Sequence, residues 1–200
     1  MLTLVIQAGG ESRRMGHDKA LLPFLGQPLI SRVLDRVALL ADEVLVTTNR
    51  PEAYAFLGVR SVPDLRPGRG ALGGLYTALA AATHPLVAVV ACDLPFASLE
   101  LLTYARDRLL TSDLDAVVPT SVGGIEPLHA VYRKATCLPA IEQAMDAGEW
   151  KLIAWFSQAN VCLLTAQETS LHDPGGLAFT NLNTPEDFRR AEALVTSLGE

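Results

Sequence analysis

Cysteine is scarce and scattered in this chain. Its three thiols, Cys92, Cys137 and Cys162, are odd in number and far apart. That arrangement supports neither a disulfide framework nor the paired spacing of a zinc ribbon. The four histidines show no metal-ligand spacing either. Charge is sparse as well: Asp, Glu, Lys and Arg make up 19% of the residues, and the formal net charge is -6. A generally basic surface for nucleic acid is therefore not indicated, and no nucleic-acid partner is expected. No apolar run approaches the roughly 18 residues needed to cross a bilayer. The first ten residues lack the basic leader and long apolar core of a signal peptide. These absences lead to the expectation of a cytoplasmic protein with reduced thiols and no membrane partner.

What is present is apolar. Half of the 200 residues are hydrophobic, which argues against disorder and suits a single domain over residues 1–200. No internal repeat, low-complexity tract or linker interrupts it. Apolar runs alternate with segments of helical period. Leu2 to Gln7 is a continuous apolar run with one threonine, as in a strand buried on both faces. Leu29, Ile30, Val33, Leu34, Val37 and Leu40 recur at helical spacing after Pro28. Glu43 to Thr48 and Leu86 to Ala91 read as further strands, with a helix over Leu72 to Ala82 between them and another capped by Ser98. Asp115 to Val118, Leu128 to Tyr132, Val161 to Leu164 and Phe179 to Leu182 are strand candidates. Helices are expected around Ala140 to Ala147, Leu152 to Phe156 and from Pro185, where Thr184 is the N-cap. Such alternation predicts an α/β, three-layer Rossmann-like sandwich with a mainly parallel sheet. Ligands of such folds bind at the carboxyl ends of the strands.

The first strand-to-loop junction reads Ala8-Gly9-Gly10-Glu11-Ser12-Arg13-Arg14-Met15-Gly16-His17-Asp18-Lys19. Its glycines permit close backbone approach, its free N–H groups can cradle phosphate oxygens, and Arg13, Arg14 and Lys19 supply three cations. It is neither the dinucleotide fingerprint nor the Walker sequence. Asp64 precedes a second glycine-rich loop that opens a helix, and Asn49 ends the second strand. Cys92-Asp93-Leu94-Pro95-Phe96 follows a fully apolar strand, which places the Asp93 carboxylate well for a hard cation such as Mg²⁺. In Asn181-Leu182-Asn183-Thr184-Pro185-Glu186, two-residue alternation puts Asn181 and Asn183 on one face. Two amides together can read the polar edge of a pterin or nucleobase. Taken alone, the second loop is as readily a surface loop and Asn49 a turn asparagine, whereas for Asp93 the helix-capping or turn role is the weaker of the two readings.

The loop pattern Ala-Gly-Gly-x-Ser-x-Arg-Met-Gly-x-Asp-Lys, the aspartate before a Gly-x-Leu-x-Gly run, the Cys-Asp-x-Pro-Phe segment, the Pro-Leu-x-Ala-x-Tyr strand at 127–132 and the closing Asn-x-Asn-Thr-Pro-Glu motif together resemble the molybdenum cofactor guanylyltransferases. The matching elements run from residue 1 to about 190. The resemblance implies a fold of the nucleotide-diphospho-sugar transferase type, with a nucleotide half over about 1–110 and an acceptor half over about 111–200. It implies an Mg²⁺-dependent enzyme that moves GMP from GTP to molybdopterin or Mo-molybdopterin, with molybdoenzymes or their chaperones as further partners. By the same resemblance Lys19, Asp93 and Arg14 are catalytic and Asp93 holds the metal. Gln7, Ala8, Gly9, Gly10, Lys19, Asn49, Asp64 and Asp93 hold the nucleotide, and Asn181 and Asn183 hold the acceptor. Two positions depart from the family: Gln7 stands where leucine is usual, and Glu126 where glutamine is frequent. Transfer of CMP from CTP to molybdopterin or another phosphorylated metabolite, and a non-catalytic nucleotide-binding accessory role, remain open alternatives at this point.

Overall fold

The computed structural model describes residues 1–8 and 18–198. Among these residues the strands are β1 (Leu2–Gln7), β2 (Pro23–Phe24), β3 (Gln27–Pro28), β4 (Glu43–Thr47), β5 (Arg60–Val62), β6 (Leu86–Ala91), β7 (Ala116–Ser121), β8 (Gly124–Ile125), β9 (His129–Arg133) and β10 (Val161–Leu164). The helices are α1 (Leu29–Val37), α2 (Gly70–Ala81), α3 (Leu99–Leu110), α4 (Lys134–Asp146), α5 (Ala166–His172) and α6 (Pro185–Leu198). The main sheet runs β10-β7-β9-β6-β1-β4-β5, with β8 paired to β7, and β2 and β3 form a separate hairpin. All its pairings are parallel except those of β9 with β6 and β7 and of β8 with β7. The antiparallel β9 follows from chain length: too few residues separate it from β7 for a crossover helix, so the strand must double back.

Every residue of β1 is buried, which is why it reads as an unbroken apolar run and not as an alternation. Leu2, Leu4 and Ile6 pack beneath α1 and α3, alongside Ile30, Val33, Leu101 and Ala105. Val5 and its neighbours Leu45, Val87 and Val89 pack on the other face, against Leu72, Leu75, Cys137 and Ile141 of α2 and α4. This is the three-layer sandwich expected. A third apolar cluster docks α6 beside the β2–β3 hairpin, where the Phe24 ring meets Phe96 and Phe188 edge-on, each at 6.1 Å.

The strand expected over Phe179 to Leu182 is absent: residues 178–179 form a turn, and 180–183 have no regular structure. The Leu182 side chain is fully buried in the α6 cluster, and its amide donates to the Asp93 carbonyl at 3.1 Å in place of a ladder bond. The segment Leu152 to Phe156 is a set of turns running into a short 3-10 helix, Phe156–Gln158.

β1 is where the chain reverses its direction of sheet growth. β4 and β5 extend from one side, and the crossover through α2 then carries the chain back to β6 on the other. Gln7 is level with Thr47 on one side and Ala91 on the other, and Thr47 is level with Val62. The carboxyl ends of β1, β4, β5 and β6 therefore share one edge, at the switch point where such sheets bind ligands.

Candidate active site

Three residues distant in the sequence converge on that edge. The Lys19 ammonium pairs with Asp93 Oδ2 and also donates to Asn183 Oδ1 at 2.7 Å. Lys19 arrives on a short 3-10 helix, Lys19–Leu21, which Asp18 caps. Asp93 follows β6, and its carbonyl anchors the closing segment through Leu182. The side chains of Lys19 and Asp93 are 19% and 12% exposed, so this charge pair lies at the floor of the edge, where water screens it less than at a surface.

Asp93 Oδ1 is buried and has no hydrogen-bond partner among the described residues. A buried carboxylate oxygen without a donor is costly, and it is a hard ligand of the kind Mg²⁺ takes. No group of three or more His, Cys, Asp or Glu suited to a metal occurs among the described residues. That donor set fits Mg²⁺ bound by one carboxylate with phosphate oxygens and water completing its shell.

A second cluster lies at the ends of β4 and β5. The Asn49 Oδ1 accepts from the Asp64 amide at 2.9 Å. Asp64 Oδ1 in turn accepts from the Arg66 amide at 2.9 Å and from the Thr77 hydroxyl at 3.0 Å. Thr77 stands on α2 and also accepts from the Leu65 amide at 3.0 Å. Gln7, Thr47, Thr48, Asn49, Asp64, Gly74 and Thr77 line one small cleft. Within it Gln7 Oε1 and Thr47 Oγ1 are buried without hydrogen-bond partners among the described residues.

Of the residues singled out from sequence, Lys19, Asp93 and Asn183 come into direct contact. Gln7, Asn49 and Asp64 meet around the cleft beside them, and Ala8 continues β1 into the edge, its amide bonded to the Thr47 carbonyl at 2.9 Å. Asn181 is exposed and makes no side-chain hydrogen bond among the described residues. Gly9, Gly10, Arg13 and Arg14 lie outside the described residues. Thr47, Thr77 and Tyr54 were not anticipated. For the threonines a signal existed: Thr77 is a small polar residue among the alanines, leucines and glycines of α2, and Thr47 ends the apolar part of β4.

Two groups near the edge are unsuited to covalent or acid–base chemistry. Burial pushes the Cys92 thiol far above its ordinary range, with the Asp93 charge adding to the effect, so it is no nucleophile. His129 is fully buried in β9, as a packed strand histidine should be, and burial lowers its pKa to about 4. Its Nε2 accepts from the Ser98 amide at 2.9 Å. No strong base faces the Lys19–Asp93 pair among the residues described, so the arrangement offers charge and position.

The family model for the MobA-like NTP transferase domain matches residues 4–161. The chain belongs to the MobA-like NTP transferase family. A protein of Pelotomaculum thermopropionicum named "Probable molybdenum cofactor guanylyltransferase" is 36% identical over 193 residues, covering 96% of this chain and 93% of that one. The molybdenum cofactor guanylyltransferase of Desulfosudis oleivorans is 33% identical over 195 residues, covering 97% and 96%. Among solved structures, the molybdopterin-guanine dinucleotide biosynthesis protein A of Archaeoglobus fulgidus superposes with a TM-score of 0.83 at 26% identity, over 98% of this chain and 100% of that one. Membership makes this chain a nucleotidyltransferase. No helix among the described residues is long and apolar enough to cross a membrane.

Proposed function

We propose that this chain transfers GMP from GTP to the phosphate of molybdopterin or Mo-molybdopterin, releasing pyrophosphate and forming the molybdopterin guanine dinucleotide. The observation that carries the reading is the meeting of Lys19, Asp93 and Asn183 at the carboxyl edge. The names of its relatives supply the donor and acceptor.

An acceptor phosphate oxygen attacks the α-phosphorus of GTP. A new P–O bond forms, the bond to the β-phosphate bridging oxygen breaks, and pyrophosphate leaves with the electron pair. The acceptor needs no base, because a phosphate monoester loses its second proton near pH 6. The difficulty is bringing two anions together and stabilising the leaving charge, which is work for position and electrostatics. In this reading Lys19, with Arg14, neutralises the triphosphate. Backbone groups of Gln7, Ala8, Gly9 and Gly10 hold the base, with Asn49 and Asp64 shaping the adjoining cleft. Asn183, beside Lys19, and Asn181 face the acceptor. Mg²⁺ held by Asp93 would supply Lewis-acid charge neutralisation on the phosphates. The product would pass to molybdoenzymes or their chaperones in a reducing cytoplasm, which suits the free thiols Cys92, Cys137 and Cys162.

The deciding experiment is pyrophosphate release by the purified protein with Mg²⁺, molybdopterin, and GTP or CTP. Strong preference for GTP is expected. Preference for CTP would move the chain to cytidylyl transfer. Nucleotide binding without pyrophosphate from either would leave an accessory binding role.

A further inference from the structure

Lys19 is a long, flexible side chain on a helix of only three residues, so something outside that helix must fix where it starts. Asp18 does this with both carboxylate oxygens. Its Oδ1 accepts from the Ala20 amide at 3.3 Å and caps the short helix. Its Oδ2 accepts from the Tyr54 hydroxyl at 2.6 Å and pairs with the Arg50 guanidinium. The two partners differ in kind. The Arg50 side chain is 59% exposed, so solvent screens its hold. Tyr54 is fully buried, on the 3-10 stretch Pro51–Leu57 that follows β4, with its ring in the same core as Ile6, Val46 and Cys92. Burial, together with the Asp18 charge, raises the Tyr54 hydroxyl well above its ordinary range, so it stays a donor throughout neutral pH.

We infer that Tyr54 is a positioning residue for catalysis: through Asp18 it sets where Lys19 begins, and thereby where the ammonium meets Asp93, Asn183 and the triphosphate. The inference rests on the reading of Lys19 given above. The chain of contacts is continuous, from the Tyr54 hydroxyl to Asp18, along one residue of backbone to Lys19, and on to Asp93 and Asn183. Among the described residues the Tyr54 hydroxyl bonds to Asp18 and to no group assigned to substrate, so its effect is on geometry. Misplacing a reacting group by about 1 Å can cost on the order of a hundredfold in rate.

The test is a double-mutant cycle in the GTP–molybdopterin pyrophosphate assay, using Lys19→Ala, Tyr54→Phe and the pair, with each melting temperature recorded. Phenylalanine keeps the ring in the core and removes only the hydroxyl. Lys19→Ala should lose roughly a hundredfold in kcat/KM. Tyr54→Phe should lose about tenfold in the native background, as for a hydrogen bond to a charged group, and less than about twofold once Lys19 is absent. Asp18→Asn is the second variant. Asparagine caps as well as aspartate but is a weaker acceptor, so it should lose activity in the same direction and only where Lys19 is present. If Tyr54→Phe were as active as the native protein, or lost the same factor with and without Lys19, the hydroxyl would serve stability alone and the inference would fall. Native turnover in Lys19→Ala itself would overturn the Lys19 reading, and this inference with it, so the two failures show up in different variants.

Discussion

Lys19 and Asn183, 164 positions apart in the chain, meet at 2.7 Å through the lysine ammonium and the asparagine side-chain oxygen. Asn183 is held for this contact from below and behind. Its neighbour Leu182 donates to the Asp93 carbonyl at 3.1 Å, and Asp187 accepts from the amides of Asn183 and Thr184 at 3.0 and 2.8 Å. A neutral acceptor orients Lys19 without cancelling its charge. Asn183→Asp would place a second carboxylate beside Asp93, where it would compete with phosphate for Lys19 and repel it. We expect Asn183→Asp to raise the KM for GTP by about tenfold and Asn183→Ala by less, about fivefold, in line with loss of one hydrogen bond of about 1 kcal/mol. Equal KM values in the two variants would mean that Asn183 acts through shape and not charge.

Asp93 offers a sharper separation of roles. Its Oδ2 is engaged by Lys19, while Oδ1 is buried and unpartnered. Asp93→Asn preserves the shape of the side chain but removes the charge that would hold a divalent cation. Turnover should fall by roughly a hundredfold or more, and the Mg²⁺ concentration giving half-maximal rate should rise at least about tenfold. A Mg²⁺ titration curve superimposable on that of the native protein would remove Asp93 as the metal ligand.

The elements most legible in the sequence were those with one cause. β1 and β6 are buried runs inside the sheet, β4 beside β1 is buried over its last three residues, and all three match their expected limits to within a residue. Ser98 caps α3 as expected, accepting from the Leu101 amide at 3.1 Å. Where two causes compete, the reading fails. α4 begins at Lys134, six residues ahead of the expected start, and carries Pro139 inside it. An interior proline disfavours a helix by about 3 kcal/mol, but Cys137, Ala140 and Ile141 are buried against the sheet and outweigh it. The helix α5 was missed although Thr165 and Glu168 form a capping box at its start. β5, only three residues long, carries too little pattern to be seen.

The site was legible as a set of strand ends but not as a set of contacts. The motifs marked Lys19, Asp93 and Asn183 separately. That Asn183 joins Asp93 on the Lys19 ammonium depends on the docking of residues 180–183 across the edge, which no local spacing encodes. Tyr54 lies 36 positions from Asp18, so only the packing of the stretch after β4 reveals their contact.

Gly73 and Gly74, adjacent on α2, should respond differently to the same substitution. A methyl group at Gly73 would sit 2.8 Å from both the Arg66 carbonyl oxygen and the Arg69 Cβ, so the loop before the helix would have to move. At Gly74 the methyl group would overlap Gln7 Nε2, the end of a flexible side chain. Alanine is favoured over glycine inside a helix by about 1 kcal/mol, against an overpacking cost of about 1–3 kcal/mol. We expect Gly73→Ala to destabilise by about 2 kcal/mol in urea unfolding and Gly74→Ala by less than about 1. Truncating the obstacle with Gln7→Ala should make Gly74→Ala stabilising in that background. A greater loss at Gly74 than at Gly73 would contradict this account of the loop.

His129 makes the fold sensitive to mild acid. Burial lowers its pKa to about 4, against an ordinary value of 6.5, so the unfolded chain binds a proton over a range of pH in which the folded protein does not. Stability therefore rises with pH through that window. The contribution is complete above about pH 6.5 and is lost as pH falls from there towards 4. The full shift corresponds to about 3 kcal/mol. The cost of protonation has a visible cause: Nε2 already accepts from the Ser98 amide at 2.9 Å, the ring lies edge-on to Phe179 at 5.4 Å, and Nδ1 is buried without a hydrogen-bond partner among the described residues. A proton added at Nε2 would face a donor and break the bond that supports the start of α3. His129→Gln keeps an acceptor for Ser98 but cannot titrate. Its melting temperature should stay nearly flat between pH 6.5 and 4.5 relative to the native protein, whose melting temperature should fall by several degrees over the same range. Parallel declines in the two proteins would place the acid sensitivity elsewhere.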